Sequence, residues 1–388
     1  MVPTFRKKAR RNYEMIKKSW IRISLMLGIL FSILGNVPGS VAADPGVIYL
    51  PIIFKPSNTL CRFGVALPGS VTSAQIKQLR VGAAVNWGTN RPSVLDPDVT
   101  FLYVIRTGIY FNANGTDTAA DSAARAQLRP GSFWQVGNEP DTCYEDQDCA
   151  TPEVYAQQFY QIAQAVRSAD PTAKLGFGTI VQPTPIRLAY LNRAWAELVR
   201  LAGGQTQASA LVNFWTIHGF VLNEKPGEWG TGIPAGMNAT DAPLFVVGYN
   251  EMWKTHDISL FQQRVRDFRN WMNGKGERNK ALWITEYGSL LPPIDPPGIN
   301  YVNVSDADTT NFMLQGFDFL LSATDASTGM PADGNRLVQR WFWYSLNDQR
   351  YNFGGSLFDP DNNNTITSVG QAFVNYTAAL PADATCQP

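Results

Sequence analysis

The sequence predicts a single-domain α/β protein, a (β/α)8 TIM barrel, and three observations predict it. Eight short apolar runs alternate with longer amphipathic stretches after residue 60, the pattern of parallel strands joined by crossover helices. The 328 residues from 61 to 388 suit eight such units, for which ~250 residues plus insertions is usual. Two of the runs close on a glutamate, Glu139 and Glu286, at the strand ends where a barrel builds its chemistry. No internal repeat or second domain is visible.

The first 22 residues carry eight basic groups against Glu14 alone, followed by an apolar stretch over 23–37 and the small residues Val41-Ala42-Ala43. That order predicts a secretory signal over 1–43 and a secreted, extracellular product, cell-surface tethered if the segment is retained. The apolar stretch is short and holds two Gly and two Ser, which disfavours a permanent span. Only an uncleaved signal would contact a membrane. Residues 44–60 read as a connector with an apolar run at 47–54. The whole chain balances 32 basic against 32 acidic residues, but without 1–43 the balance is 24 to 31. A mildly acidic protein with no basic patch excludes nucleic acid as partner, and the protein is expected to be a monomer.

The strand candidates are 61–67, 82–87, 101–107, 133–138, 175–181, 211–218, 282–286 and 340–346. Helix candidates lie at 151–169, 186–202, 260–273, 308–323 and 367–379. Thr151-Pro-Glu-Val and Ser305-Asp-Ala-Asp have the capping hydroxyl and early acids of helix N-termini. In the first of these helices, Tyr155, Phe159, Ile162, Ala163 and Val166 recur at helical spacing. The largest insertion, 221–259, follows the sixth strand and belongs at the C-terminal rim. With the loop at 290–304 it should shape specificity. The four cysteines suit two disulfides in an exported chain, with three connectivities open. Cys143 and Cys149 are near enough to close a small loop after Glu139, leaving Cys61 for Cys386.

Glu139 stands in Gly137-Asn138-Glu139-Pro140 and Glu286 in Thr285-Glu286-Tyr287-Gly288. Two carboxylates gathered at strand ends are the minimum equipment for cleaving a glycosidic bond. His218 ends the sixth strand, where it can contact a sugar or position the carboxylates. His256, in the long loop, is expected at the surface. In the eighth strand Trp341 and Trp343 share a face, and Trp343, nearer the rim, is the candidate sugar contact. Asn86-Trp87 at the second strand end supplies two more.

On these motifs the chain, over 61–379, resembles the clan A glycoside hydrolases, retaining enzymes on a (β/α)8 barrel. It looks closest to secreted proteins with an alkali-sensitive-linkage-type glycosyl hydrolase core, several of which act on β-glucans. The resemblance implies Glu286 as nucleophile and Glu139 as acid/base, with the proton affinity of Glu139 raised by burial and by its partner. It implies Asn138 on the sugar 2-hydroxyl, Tyr287 in the substrate site, no cofactor, and a β-linked poly- or oligosaccharide as partner. The second-strand arginine that many clan members carry has no clear counterpart, and Arg106 is the candidate substitute. The alternative is a non-catalytic carbohydrate-binding surface protein on the same barrel, whose signature would be loss of one glutamate. No His/Asp cluster marks a metal site and no Gly-x-Ser-x-Gly elbow marks a serine hydrolase.

Overall fold

The computed structural model describes residues 60–107, 117–144, 146–291, 304–351 and 353–382. The expected signal, almost all of the connector, most of the 290–304 loop and Cys386, with the expected Cys61–Cys386 bridge, lie outside them. Eight parallel strands, β1 (Leu60–Ala66), β2 (Val81–Val85), β3 (Thr100–Ile105), β4 (Phe133–Val136), β5 (Lys174–Ile180), β6 (Phe214–His218), β7 (Ala281–Gly288) and β8 (Arg340–Tyr344), close into a barrel in chain order. The expected fold is therefore the observed one.

The sheet has two faces, and period-two alternation sorts each strand's side chains between them. Ala66, Val85, Leu102, Val104, Phe214, Trp283, Phe342 and Tyr344 pack on one another inside the barrel. Phe63, Val65, Trp215, Ile284, Trp341 and Trp343 point outward into the layer shared with the helices. Near the N-terminal end of the strands, Trp283 packs between Phe133 and Phe214, with the Arg340 guanidinium 4.4 Å from its ring centre. A well-packed plug of this kind lets only the opposite mouth hold a site.

The helices α1 (Ser73–Leu79), α2 (Ala119–Gln127), α3 (Pro152–Ala169), α4 (Pro185–Ala202), α5 (Gln205–Leu211), α6 (Ile258–Gly274), α7 (Asp306–Ser322) and α8 (Ser368–Ala378) surround the barrel. In α3 the Thr151 hydroxyl accepts from the Val154 N–H and Pro152 occupies the first turn, where a missing N–H is harmless. Its expected stripe from Tyr155 to Val166 is buried. Ser305 and Asp308 cap α7 reciprocally. The seven-residue helices α1 and α5 were not anticipated; α5 takes up residue 211, which had read as the start of the sixth strand. Too short and polar to show a period, α5 is set by its neighbours instead. No helix among the described residues is long and apolar enough to cross a membrane.

Candidate active site

Glu139 follows β4 on a turn the sequence builds with care. Gly137 has φ 88°, and a Cβ there would come within 2.8 Å of the Tyr155 ring, so only glycine fits. Glu139 itself sits at φ 44°, an uncommon conformation for a residue with a side chain. Its N–H is held by the Thr179 carbonyl at 3.1 Å. The fully buried Asp148 carboxylate pins the turn from behind. It accepts from the Asn138 N–H at 2.9 Å, the Thr107 N–H and hydroxyl at 2.8 and 2.9 Å, and Arg106 Nε at 2.7 Å. The expected Cys143–Cys149 disulfide closes the loop carrying Asp148.

Glu286 reaches the same mouth through an irregularity in β7. Ile217 and His218 of β6 pair with Ile284 and Glu286, leaving Thr285 as one extra residue. The pairing with β8 shifts at the same place. Such a bulge re-aims the side chains that follow it. Glu286 therefore turns into the cleft, while Tyr287 turns out of the barrel.

His218 stands between the two carboxylates. Its Nδ1 lies 2.7 Å from Glu139 Oε1 and its Nε2 3.4 Å from Glu286 Oε1. An oxygen from each carboxylate and a ring nitrogen all fall within 4.8 Å of one another. Trp87 donates its indole N–H to Glu286 Oε1 at 2.7 Å. Among the described residues this trio is the one set of three metal-ligating side chains close enough to share a cation. The two carboxylates face opposite nitrogens of the ring.

Burial pushes the Glu286 carboxyl up to about 7; the Glu139 charge adds to this, while His218, the Trp87 hydrogen bond and Arg106 work against it. Burial acts to lower the His218 pKa, but the charges of Glu286 and Glu139 outweigh it and the net shift is upward. Glu286 and His218 therefore bias one another's protonation. An upward shift thus falls on the residue read as nucleophile.

The cleft is a cavity of about 520 Å³, within the range of small-molecule sites. Trp87, Arg106, Glu139 and Glu286 line it together with Phe220, Trp229, Tyr344, Tyr351 and Phe353. Arg106, the candidate substitute arginine, sits at the cleft and contributes its charge to Glu286.

Four expected sugar contacts are corrected. Trp343 is fully buried on the outer face, packed on Tyr287 at 5.1 Å, its indole N–H bound to the Gly355 carbonyl at 2.7 Å. Tyr287 is likewise fully buried, stacked on Phe261. Asn86 caps its own turn, accepting from the Gly88 N–H and donating to the Asn90 carbonyl. Asn138 is buried and absent from the cleft lining, its amide Nδ2 bound to Gln147 Oε1 at 2.8 Å. The loop histidine His256 is half-buried rather than at the surface, stacked on Phe312, and burial holds its pKa down to about 4. Tyr344 was missed; it supplies the eighth strand's aromatic to the cleft, in the opposite phase to Trp343. Trp229 comes from the loop already assigned to the rim, and Phe220 lies just before that loop.

No protein-family model matches the sequence, and no curated protein matches it. Among solved structures, a GH128 (subgroup VI) exo-β-1,3-glucanase from Aureobasidium namibiae aligns at 12% identity, covering 82% of this chain and 97% of its own, with a TM-score of 0.47. A glucosidase from Croceicoccus marinus aligns at 12% identity over 84% and 69%, with a TM-score of 0.49. A GH39 enzyme from Xanthomonas axonopodis pv. citri aligns at 15% identity over 85% and 68%, with a TM-score of 0.48. At such values the function has to be read from the site itself.

Proposed function

We propose that this protein is a retaining O-glycoside hydrolase, secreted by way of residues 1–43, that cleaves a β-linked poly- or oligosaccharide. The observation that carries the reading is the approach of Glu139 and Glu286 oxygens to within 4.8 Å. Retaining enzymes hold their carboxyl groups about 5–5.5 Å apart, whereas inverting ones need ~6.5–9.5 Å for a water. The aromatic lining supports a sugar ligand, because the C–H faces of a pyranose pack on such rings.

In the first step a Glu286 oxygen bonds to the anomeric carbon as the glycosidic C–O bond breaks. Glu139 gives its proton to the departing oxygen. In the second step water attacks the anomeric carbon, returns a proton to Glu139 and releases the Glu286 carboxylate. His218, 2.7 Å from Glu139 and 3.4 Å from Glu286, positions both carboxylates around one imidazole. The resemblance to the alkali-sensitive-linkage-type cores makes β-glucans the first substrates to try.

The test is reducing-sugar release from β-glucan, xylan, mannan and galactan by wild type, Glu139→Gln and Glu286→Gln, with product anomers followed by NMR. Hydrolysis with net retention, lost in both variants, is the expected result. Initial release of the inverted anomer, or wild-type turnover by Glu286→Gln, overturns the proposal.

A further inference from the structure

Two loops that leave the barrel from opposite sides meet above its mouth. Asp146 lies in the disulfide-closed loop after β4, and Arg350 and Tyr351 lie in the loop after β8. In a closed eight-stranded barrel, strands four and eight are diametrically opposed. The Tyr351 hydroxyl donates to Asp146 Oδ2 at 2.7 Å and Arg350 pairs with the same oxygen. Each bank is braced. Arg106, at the end of β3, holds the Asp146 carbonyl, and Asp348 accepts the Arg350 and Tyr351 N–H groups at 3.0 and 3.2 Å. Asp146 keeps φ 71°, an uncommon state for a non-glycine residue, so its place is dictated by these contacts and by the Cys143–Cys149 ring.

All three bridging residues line the catalytic cleft. A glycan running straight through would have to displace the bridge. We propose that the Asp146–Arg350–Tyr351 bridge end-caps the cleft, so that the site accepts the terminus of a glycan chain and excludes its middle. This inference rests on the glycosidase reading and adds the mode of attack.

The test uses the full chain carrying Glu286→Gln, titrated by tryptophan fluorescence with β-linked gluco-, xylo-, manno- and galacto-oligosaccharides from dimer to octamer. Each is used free and blocked at one end or the other with a bulky group. Blocking one particular end should weaken binding at least about tenfold. Adding Asp146→Gly, which suits the positive φ, should remove most of that penalty. Arg350→Gln with Tyr351→Phe should do so from the opposite bank, which covers misfolding of the disulfide loop in the first variant. On polymer, the bridge variants should raise viscosity loss per reducing end released. Equal binding of blocked and free oligomers, or internal cutting by the intact protein, overturns the end cap alone. End-limited binding without turnover by the wild type removes the hydrolase and leaves the cap, and binding of no glycan removes both.

Discussion

Trp87 donates its indole N–H to the Glu286 carboxylate at 2.7 Å, tying the segment after the second strand to the carboxylate proposed as nucleophile. The bond both orients that carboxylate and lowers its proton affinity. Trp87→Phe keeps most of the ring and removes the donor. Hydrogen bonds to charged groups contribute about 1.5–3 kcal/mol, so kcat/KM should fall by roughly 10- to 100-fold. The acid limb of its pH profile should move to higher pH. Unchanged steady-state kinetics would show that the bond is only structural.

His218 makes a sharper case, because its charge opposes protonation of Glu286 more than the Trp87 bond does. In His218→Gln an amide can still bond Glu139, but the positive charge is gone. The acid limb of kcat/KM should therefore move further toward high pH than in Trp87→Phe. Stability follows the same cluster. The Glu286 pKa is raised in the fold from an ordinary 4.5 to about 7, so its contribution is fully present below 4.5 and is lost as pH rises through 7. Glu286→Gln should accordingly gain in Tm relative to wild type between pH 4.5 and pH 7. A Tm difference that stays flat over that interval would contradict the raised pKa.

The eighth strand separates two aromatic roles. Tyr344 lines the cleft, 5.8 Å from Trp87 between ring centres, while Trp343 packs on the helix side. Tyr344→Ala should reduce kcat/KM by an order of magnitude or more while the fold persists. Trp343→Ala should instead cost about 3–5 kcal/mol of stability through lost burial and a cavity. Urea unfolding and kinetics on both variants distinguish the two; a reversed pattern would put Trp343 in the site after all.

This pair also marks where the sequence stops being legible. The strand run and its alternation were plain in Arg340-Trp-Phe-Trp-Tyr, and so were all eight strands and both glutamates. Alternation says which residues share a face, but not which face looks inward. In a barrel buried on both sides, both faces are apolar, so composition cannot break the tie. Glu286 and Tyr287 posed the same problem one strand earlier, where the extra residue Thr285 reverses the phase and only the pairing with β6 and β8 reveals it. Asp146 and Tyr351 were out of reach for another reason. They lie 205 positions apart, in loops without a period, and meet only because the barrel closes.

A last expectation concerns what holds the rim beneath the site. Arg187 of α4 is fully buried and pairs with Asp141, two residues after Glu139, and with Glu224 at 2.9 Å in the loop after β6. It also donates to the Gly232 carbonyl at 2.8 Å. One guanidinium thus fastens the Glu139 turn to the loop that carries Trp229. Removing it strands two buried carboxylates, which typically costs about 3–5 kcal/mol. Arg187→Met should lower the urea midpoint accordingly, and Arg187→Lys should recover only part, since an ammonium cannot fork between two carboxylates as a guanidinium does. Should Arg187→Met unfold like wild type, the rim is held by the packing of Tyr190 and Leu191 beneath it, and the ion network adds nothing.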